Sequence, residues 1–435
     1  MKTKNYPKHF FLVLTVLSLI GQIAWVVENM YFNVFIYKMF NASASAIATM
    51  VTASAVAATL TTVIIGAYSD KIGKRKIFIT AGYILWGISI ISFAFIRLDI
   101  ISTLFAGTVN AATVGVSLTI IMDCVMTFFG SSANDACFNA WLTESTPDSI
   151  RGRAEGINAM MPLLAIIVVF GGFMGFDLNK ADSWTAIFLI IGITVLIIGV
   201  LGVFFIKESS VKIEENKSFW GNIFYGFRPK VIRKNKMLYI TLIAFAVFGI
   251  SIQVFMPYLI LYYNVSLEMD NYVLIMAPAI IIASVVTAFY GKVYDKRGFT
   301  FAIVPTVICL IAGYILLFLF KNTAFVFIGS LFMMIGYLCS SAVFGAMIRN
   351  RIPQNKAGMF QGLRIVAQVL IPGIIGPQIG AAVLQGAEKV IGDDGTASFV
   401  PNEKIFLAAL VVAILLVAVL LIQFYSLKKE KNNGM

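Results

Sequence analysis

The chain has 435 residues, 60% of them hydrophobic and only 12% charged, with a mean hydropathy of +0.91 and a formal net charge of +12. A soluble globular protein of this length exposes more charge than that, so the composition specifies a protein built for lipid. Four cysteines scattered singly and one histidine, His9, offer no disulfide framework, no metal-ligand spacing and no histidine proton relay.

In chain order, apolar stretches predict twelve membrane helices, at 10–37, 44–66, 77–97, 115–143, 156–176, 183–206, 237–263, 271–290, 300–320, 324–347, 359–387 and 403–426. The first has a basic start, but it is too long for a signal peptide, carries Glu28 and lacks a small-residue cleavage site. On a regular helix Gln22, Asn29 and Asn33 project within about 40° of one another, Trp25 lies about 60° to one side, and Glu28 points about 120° away. That geometry aims Glu28 at a neighbouring helix, which suits cation coupling better than a binding contact. The stretch 98–114 before the fourth helix is itself fairly apolar and its structure is the least defined.

On the fourth helix Asp123, Thr127, Ser131, Asn134 and Phe138 share a stripe of about 80°, with Asp135 about 40° beyond Ser131. The Gly130–Ser131–Ser132 run is expected to loosen the helix and turn Asp135 inward. A continuous polar face of this kind is what a water-filled cavity requires. Each intramembrane carboxylate costs roughly 2.5–3.5 kcal/mol near a helix centre, so Glu28, Asp123 and Asp135 call for a functional reason. Residues 207–236 form a basic linker, whose SFWGNIFYGF segment (218–227) reads as an interfacial helix or a disordered connection. In the second half the polar candidates are fewer. They are Gln253, Pro257 and Tyr258 in the seventh helix, Ser340 and Ser341 in the tenth, and Arg364 with Gln368 in the eleventh. Arg364 is expected to pair with Asp70 or a cavity carboxylate, to meet an anionic group, or to pair structurally. With no second intramembrane cation, a strongly anionic substrate is not expected.

Placing the N-terminus inside puts 26 of the 33 Lys and Arg residues in cytoplasmic segments and six outside, with Arg364 within a span. Both termini are therefore expected in the cytoplasm, and the net charge is explained by topology and lipid contact, without nucleic acid. The chain also repeats itself. GAYSDKIGKRK at 66–76 returns as GKVYDKRG at 291–298, and FFGSSAND at 128–135 meets MIGYLCSS at 334–341. Two parallel six-helix halves, 1–206 and 237–435, joined by the linker 207–236, are the simplest account.

Gly66, Asp70, Lys71, Gly73, Lys74 and Arg75 resemble the loop signature of the major facilitator superfamily, and Gly291, Asp295, Lys296 and Gly298 retain part of it. ESTPDSIRGRAEG at 144–156 also resembles the turn that joins the fourth and fifth helices in that superfamily. The resemblance covers the whole chain. It implies an all-α membrane protein with two pseudo-symmetric six-helix bundles around a central cavity, lined by the first, fourth, seventh and tenth helices, and working by alternating access. It further implies a gating role for Gly66, Asp70, Gly73 and Arg75, for Gly291, Asp295 and Gly298, and for Arg364. Asp70 would face the N-terminus of the eleventh helix, and Asp295 that of the fifth.

Enzyme readings fail for want of a nucleophile–base pair, and no phosphate-binding Gly-Lys-Ser/Thr loop supports ATP-driven pumping. No cofactor is expected, and the chain is expected to act as a monomer in the plasma membrane. The favoured function is uptake of a sugar or similar small polar solute coupled to H+ or Na+. Coupling falls to Glu28, Asp123 and Asp135, and substrate contact to Gln22, Trp25, Asn29, Asn33, Thr127, Ser131, Asn134, Gln253, Tyr258, Ser341 and Gln368. TIIMDC at 119–124 is similar to the fourth helix of melibiose-permease-like glycoside symporters, whose longer loop signatures are not found here. The alternative is proton-driven export of drugs or metabolites. The exporter signature is missing from the fifth helix, and its look-alike GIIGPQIG at 373–380 reads as small-residue helix packing, as do Ala48, Ala55 and Thr59.

Overall fold

The computed structural model describes residues 8–105, 110–146, 148–208, 224–269, 271–352, 357–391 and 397–432. Eleven helices among the described residues are long and apolar enough to cross a membrane: His9–Phe40, Ala44–Ile72, Lys76–Phe95, Ala111–Ser145, Gly156–Phe173, Ala181–Phe205, Lys236–Ser266, Val273–Leu319, Thr323–Arg351, Gly362–Leu384 and Lys404–Lys429. At 47 residues, Val273–Leu319 is about twice the length that a bilayer accommodates. Gly298 breaks it with φ 78° and ψ 179°, dividing it into the eighth and ninth of the twelve expected spans. The ill-defined stretch before the fourth span contains a short helix, Leu98–Leu104. Asn110 then caps the fourth span, its side chain accepting from the Ala112 N–H at 2.9 Å. Most of the aromatic linker segment 218–227 lies outside the described residues. Its end forms a single 3₁₀ turn, Tyr225–Phe227.

The duplication is written in the backbone. Among the described residues four have positive φ, and they fall into two repeat-related pairs: Asn41 with Glu268, and Gly73 with Gly298. Asn41 (φ 51°) ends the first span in a left-handed cap, donating to the carbonyls of Ile36 and Tyr37. Gly73 (φ 69°) ends the second, donating to the Ser69 carbonyl at 2.9 Å. A left-handed residue at Gly73 and Gly298 is the reason that the loop signature needs glycine there.

Contacts divide the chain into two units, Met1–Ala42 with Val56–Ile223, and Ser43–Ala55 with Phe224–Met435. The sequence placed the division at the linker alone; the first turns of the second helix group with the later unit. In the first unit the third and sixth spans approach closely through Gly87, Gly192 and Gly199. A Cβ on Gly87 would lie 2.5 Å from the backbone nitrogen of Leu196. The same unit holds an aromatic core of Phe32, Phe35, Phe93, Trp184 and Phe188.

In the second unit the ninth and tenth spans meet at Gly313 and Gly336 in the same manner. GIIGPQIG packs the eleventh span onto the seventh. Cβ atoms on Gly376 and Gly380 would lie 2.5 Å from the Gln253 Cβ and 2.3 Å from the Val254 carbonyl oxygen. Gly373 of the same run abuts Ala55.

Candidate functional site

Among the described residues four segments of π-helix interrupt the spans: Val27–Tyr31, Ser131–Phe138, Tyr262–Ser266 and Val366–Leu370. Three of them carry candidate residues, namely Glu28 and Asn29, then Ser131, Asn134 and Asp135, then Gln368. A π-segment widens the turn by a residue, frees backbone groups and often marks a functional site. It also rotates everything beyond it, so directions calculated at a constant 100° per residue fail past these points. The second segment begins directly after Gly130, where the sequence indicated a loosened helix.

In the first unit the structure brings Glu28, Thr127 and Asp123 together. Glu28 reaches from the first span to the fourth, where its Oε1 accepts the Thr127 hydroxyl at 2.8 Å. Asp123 lies one turn before Thr127, and both carboxylates act electrostatically on the intervening Cys124 thiol. All three side chains are buried. Next to them Trp25 packs on Trp86 of the third span, ring centroids 5.0 Å apart at 48°. Gly130 makes room for both rings, since a Cβ there would come within 2.8 Å of Trp86 and 3.0 Å of Trp25. The indole N–H of each tryptophan is buried without an acceptor among the described residues. Buried donors of this kind are costly unless a water or ligand oxygen meets them.

Further along, Ser131 donates to Asp135 at 3.1 Å, and the half-buried Asp135 lies on the π-segment. Tyr83 donates to the Leu17 carbonyl at 2.8 Å and stands 3.5 Å from the Asn134 Oδ1. Thr127, Ser131, Asn134 and Asn33 are all buried within the bundle, so the predicted polar stripe of the fourth helix faces its neighbours in this structure. Asn29 and Asn33 do not share a face. Asn29 is exposed and donates to the Trp25 carbonyl at 2.7 Å, while Asn33 is buried and donates to the Asn29 carbonyl at 3.2 Å. The π-segment between Trp25 and Asn33 separates them. Gln22 and Trp25 are half-buried.

The second unit is less polar. Tyr258, proposed from sequence as a cavity hydroxyl, is wholly buried, and its hydroxyl is set between the carbonyls of Ala44 at 3.0 Å and Pro377 at 3.2 Å. Gln253 and Ser341 are half-buried, and Gln253 supports Gly376. Ser340 donates to Thr306 at 2.8 Å. Gln368 is exposed, and Arg364, half-buried, donates from Nε to the Gln368 Oε1 at 3.3 Å.

The loop after the second span is an ion network. Arg75 is almost fully buried. It binds Asp70, reaches Ser69 Oγ at 2.5 Å, and holds Glu144 of the fourth span through Nη2 at 2.6 Å and Nε at 3.2 Å. Burial works against the charged guanidinium, but its bonds to Glu144 and Asp70 outweigh that cost and raise its pKa. Glu208, just past the sixth span, accepts the backbone N–H groups of Arg75 at 2.6 Å and Lys76 at 3.1 Å, capping the third span with a negative charge. Gly66 accepts from Ser69 at 2.9 Å.

The second copy differs. Asp295 is exposed and makes no ion pair among the described residues, and Thr300 occupies the position of Arg75. Asn350, the repeat equivalent of Glu144, donates to Tyr294 at 2.9 Å. Gly291 has open space around it.

Sequence reasoning missed Trp86 and Tyr83 of the third span, and Glu144, Glu208 and Ser69 around Arg75. The first two left a trace, as hydrogen-bonding aromatics at i and i+3 on one helix face.

A duplicated, multi-pass helical membrane protein with carboxylates buried between its spans falls in the class of membrane transporters, not enzymes. The Major Facilitator Superfamily model matches residues 11–377, and the chain belongs to that family. Its fold is similar to that of a mutant of the nucleoside transporter NupG (TM-score 0.71, 14% identity, 95% of this chain and 99% of that one). It is likewise similar to a bacterial homologue of the human lysosomal transporter Spinster (TM-score 0.68, 15% identity, 97% of each chain). The xylose transporter XylE from E. coli has the same fold (TM-score 0.68, 13% identity, 94% of this chain and 97% of that one). No curated protein sequence matches the chain.

Proposed function

We propose that the protein uses an inward cation gradient, of H+ or Na+, to take up a sugar or similar small polar solute by alternating access. It would act as a monomer in the plasma membrane with both termini in the cytoplasm. The observation that carries this reading is the hydrogen bond from Thr127 to Glu28, which holds a buried acid between two spans within a turn of Asp123. An acid in that position can exchange a proton or ligate a hard cation as the spans part. Trp25 and Trp86 supply flat apolar faces and two N–H donors without an acceptor among the described residues, chemistry that fits a hydroxylated ring. One of the fold's relatives is named as a D-xylose–proton symporter and another as a nucleoside transporter. The signature loops around Asp70 and Asp295 would bias the equilibrium between the two access states.

One cation crossing about 100 mV contributes roughly 2.3 kcal/mol, enough for about a 50-fold concentration ratio of a neutral solute. The test is reconstitution in liposomes with an imposed proton or sodium gradient, against a panel of sugars and cationic dyes. Glu28→Gln should abolish accumulation and retain exchange of solute across the membrane without a gradient. Dye extrusion indifferent to sugars would overturn uptake in favour of export.

A further inference from the structure

Arg364 is the one base that the sequence places within a span, about two turns into the eleventh helix, which begins at Ala357. Among the described residues no carboxylate pairs with it; its single hydrogen bond goes to Gln368. Asp70, one of the partners expected from sequence, is bound to Arg75 instead. Arg349, a second cation in electrostatic reach, opposes its charge and does not balance it.

The partner that the side chain takes is informative. Cα–Cβ bonds tilt toward the N-terminus of a helix, and Arg364 lies near that end of its span, Gly362–Leu384. A basic residue serving only as a topological anchor would snorkel that way. Arg364 instead donates to the amide of Gln368, one turn further along, on the π-segment Val366–Leu370. Gln368 is itself exposed. An exposed amide and a guanidinium without a carboxylate partner among the described residues face a polar solute more economically than hydrocarbon.

We infer that Arg364 and Gln368 form the subsite for a carboxylate on the transported solute, so that the substrate is a hydroxylated monocarboxylate, such as an aldonic or uronic sugar acid. This rests on the uptake reading above and narrows its substrate class. Gln368 occupies the Nε edge of the guanidinium and fixes its plane. The two Nη groups, which bond to no described residue, remain as the fork that a carboxylate accepts in bidentate geometry. A single fork balances a single negative charge, which disfavours dianions such as phosphate esters. The Gln368 amide N–H₂ is left to meet a neighbouring hydroxyl. Entry of one cation with one monoanion moves no net charge, so the membrane potential drops out and only the cation concentration gradient drives uptake.

The experiment is uptake of D-gluconate and D-glucuronate, compared with D-glucose and D-xylose, into liposomes holding the purified full chain. A pH or sodium gradient is imposed while the potential is clamped at zero and then at about −100 mV. The acids should accumulate at the same rate at both potentials, and the neutral sugars should not. Arg364→Gln should raise KM for the acids at least tenfold, with Arg364→Lys in between. Thermal unfolding of each variant in detergent checks its fold; should Arg364→Gln fail to fold, Arg364→Lys and Gln368→Ala carry the test, each with a raised KM. Cation-driven uptake of neutral sugars, unchanged in the Arg364 variants, would overturn the carboxylate subsite and leave the uptake reading standing. Acid uptake with an unaltered KM in the variants would overturn the role of Arg364. Movement of neither set under either gradient would overturn both readings.

Discussion

Replacing Glu144 by Gln tests whether the loop network is held by charge or by shape. Arg75 is 3% exposed, and it has two carboxylate partners of unequal quality. Asp70 is 65% exposed, whereas Glu144 is 24% exposed and takes two of the guanidinium donors, at 2.6 and 3.2 Å. Removing one partner from a fully buried pair costs about 3–5 kcal/mol. Partial exposure of Glu144 and the survival of Asp70 reduce this, and the amide oxygen still accepts one bond, so the expected loss is about 2 kcal/mol. On the scaling for domains of this size that corresponds to a fall in Tm of roughly 4–8 °C. The assay is thermal unfolding of the purified protein in detergent with a thiol-reactive fluorophore, because buried Cys137 lies beside Ser69 and Arg75 and reports local opening. Asn350→Leu, at the repeat-equivalent position, loses only an exposed hydrogen bond and should shift Tm by no more than about 2 °C. A Glu144→Gln protein that unfolds with the wild type, or an Asn350→Leu protein that falls further, would refute the reasoning.

Gly380→Ala places a methyl group 2.3 Å from the Val254 carbonyl oxygen, a backbone atom that moves only with its helix. It should cost about 1–3 kcal/mol in the same unfolding assay. Gly291→Ala, with nothing within 4 Å, should be neutral or slightly stabilising. Asp70→Asn should leave Tm close to that of the wild type, because the side chain is mostly exposed, yet slow transport while substrate binding persists. Loss of binding in the folded Asp70→Asn protein would count against a gating role. Asp295→Asn, which breaks no ion pair among the described residues, should slow transport less.

The spans and their duplication were legible because crossing a bilayer demands about twenty apolar residues at a time, and that demand is local. The left-handed glycines were equally local, since Gly73 and Gly298 stand in short motifs whose spacing survives in both halves. Legibility ended where the helix stopped being regular. The π-segment at Val27–Tyr31 parts Asn29 from Asn33, and the one at Ser131–Phe138 alters the face on which Asp135 sits. Neither could be placed by a constant rotation per residue. Long-range partners were equally hidden. Arg75 was visible in its motif, but Glu144 and Glu208 stand 69 and 133 residues away, and although Glu144 opens the motif at 144–156, nothing in that motif pairs it with Arg75. Trp86 was passed over because an apolar span containing a tryptophan is unremarked until its N–H is found without an acceptor.

The two loops share a backbone turn and do not share its electrostatics. Gly73 and Gly298 both turn the chain at positive φ, but one turn is cemented by a guanidinium between carboxylates and the other by a tyrosine hydroxyl and an amide. Added salt weakens the first kind of bond more than the second, although the burial of Arg75 shields part of it. Ionic strength therefore acts on the two loops unequally. A transport cycle that opens them in turn would acquire a salt-dependent step in one half of its round and keep the other half indifferent.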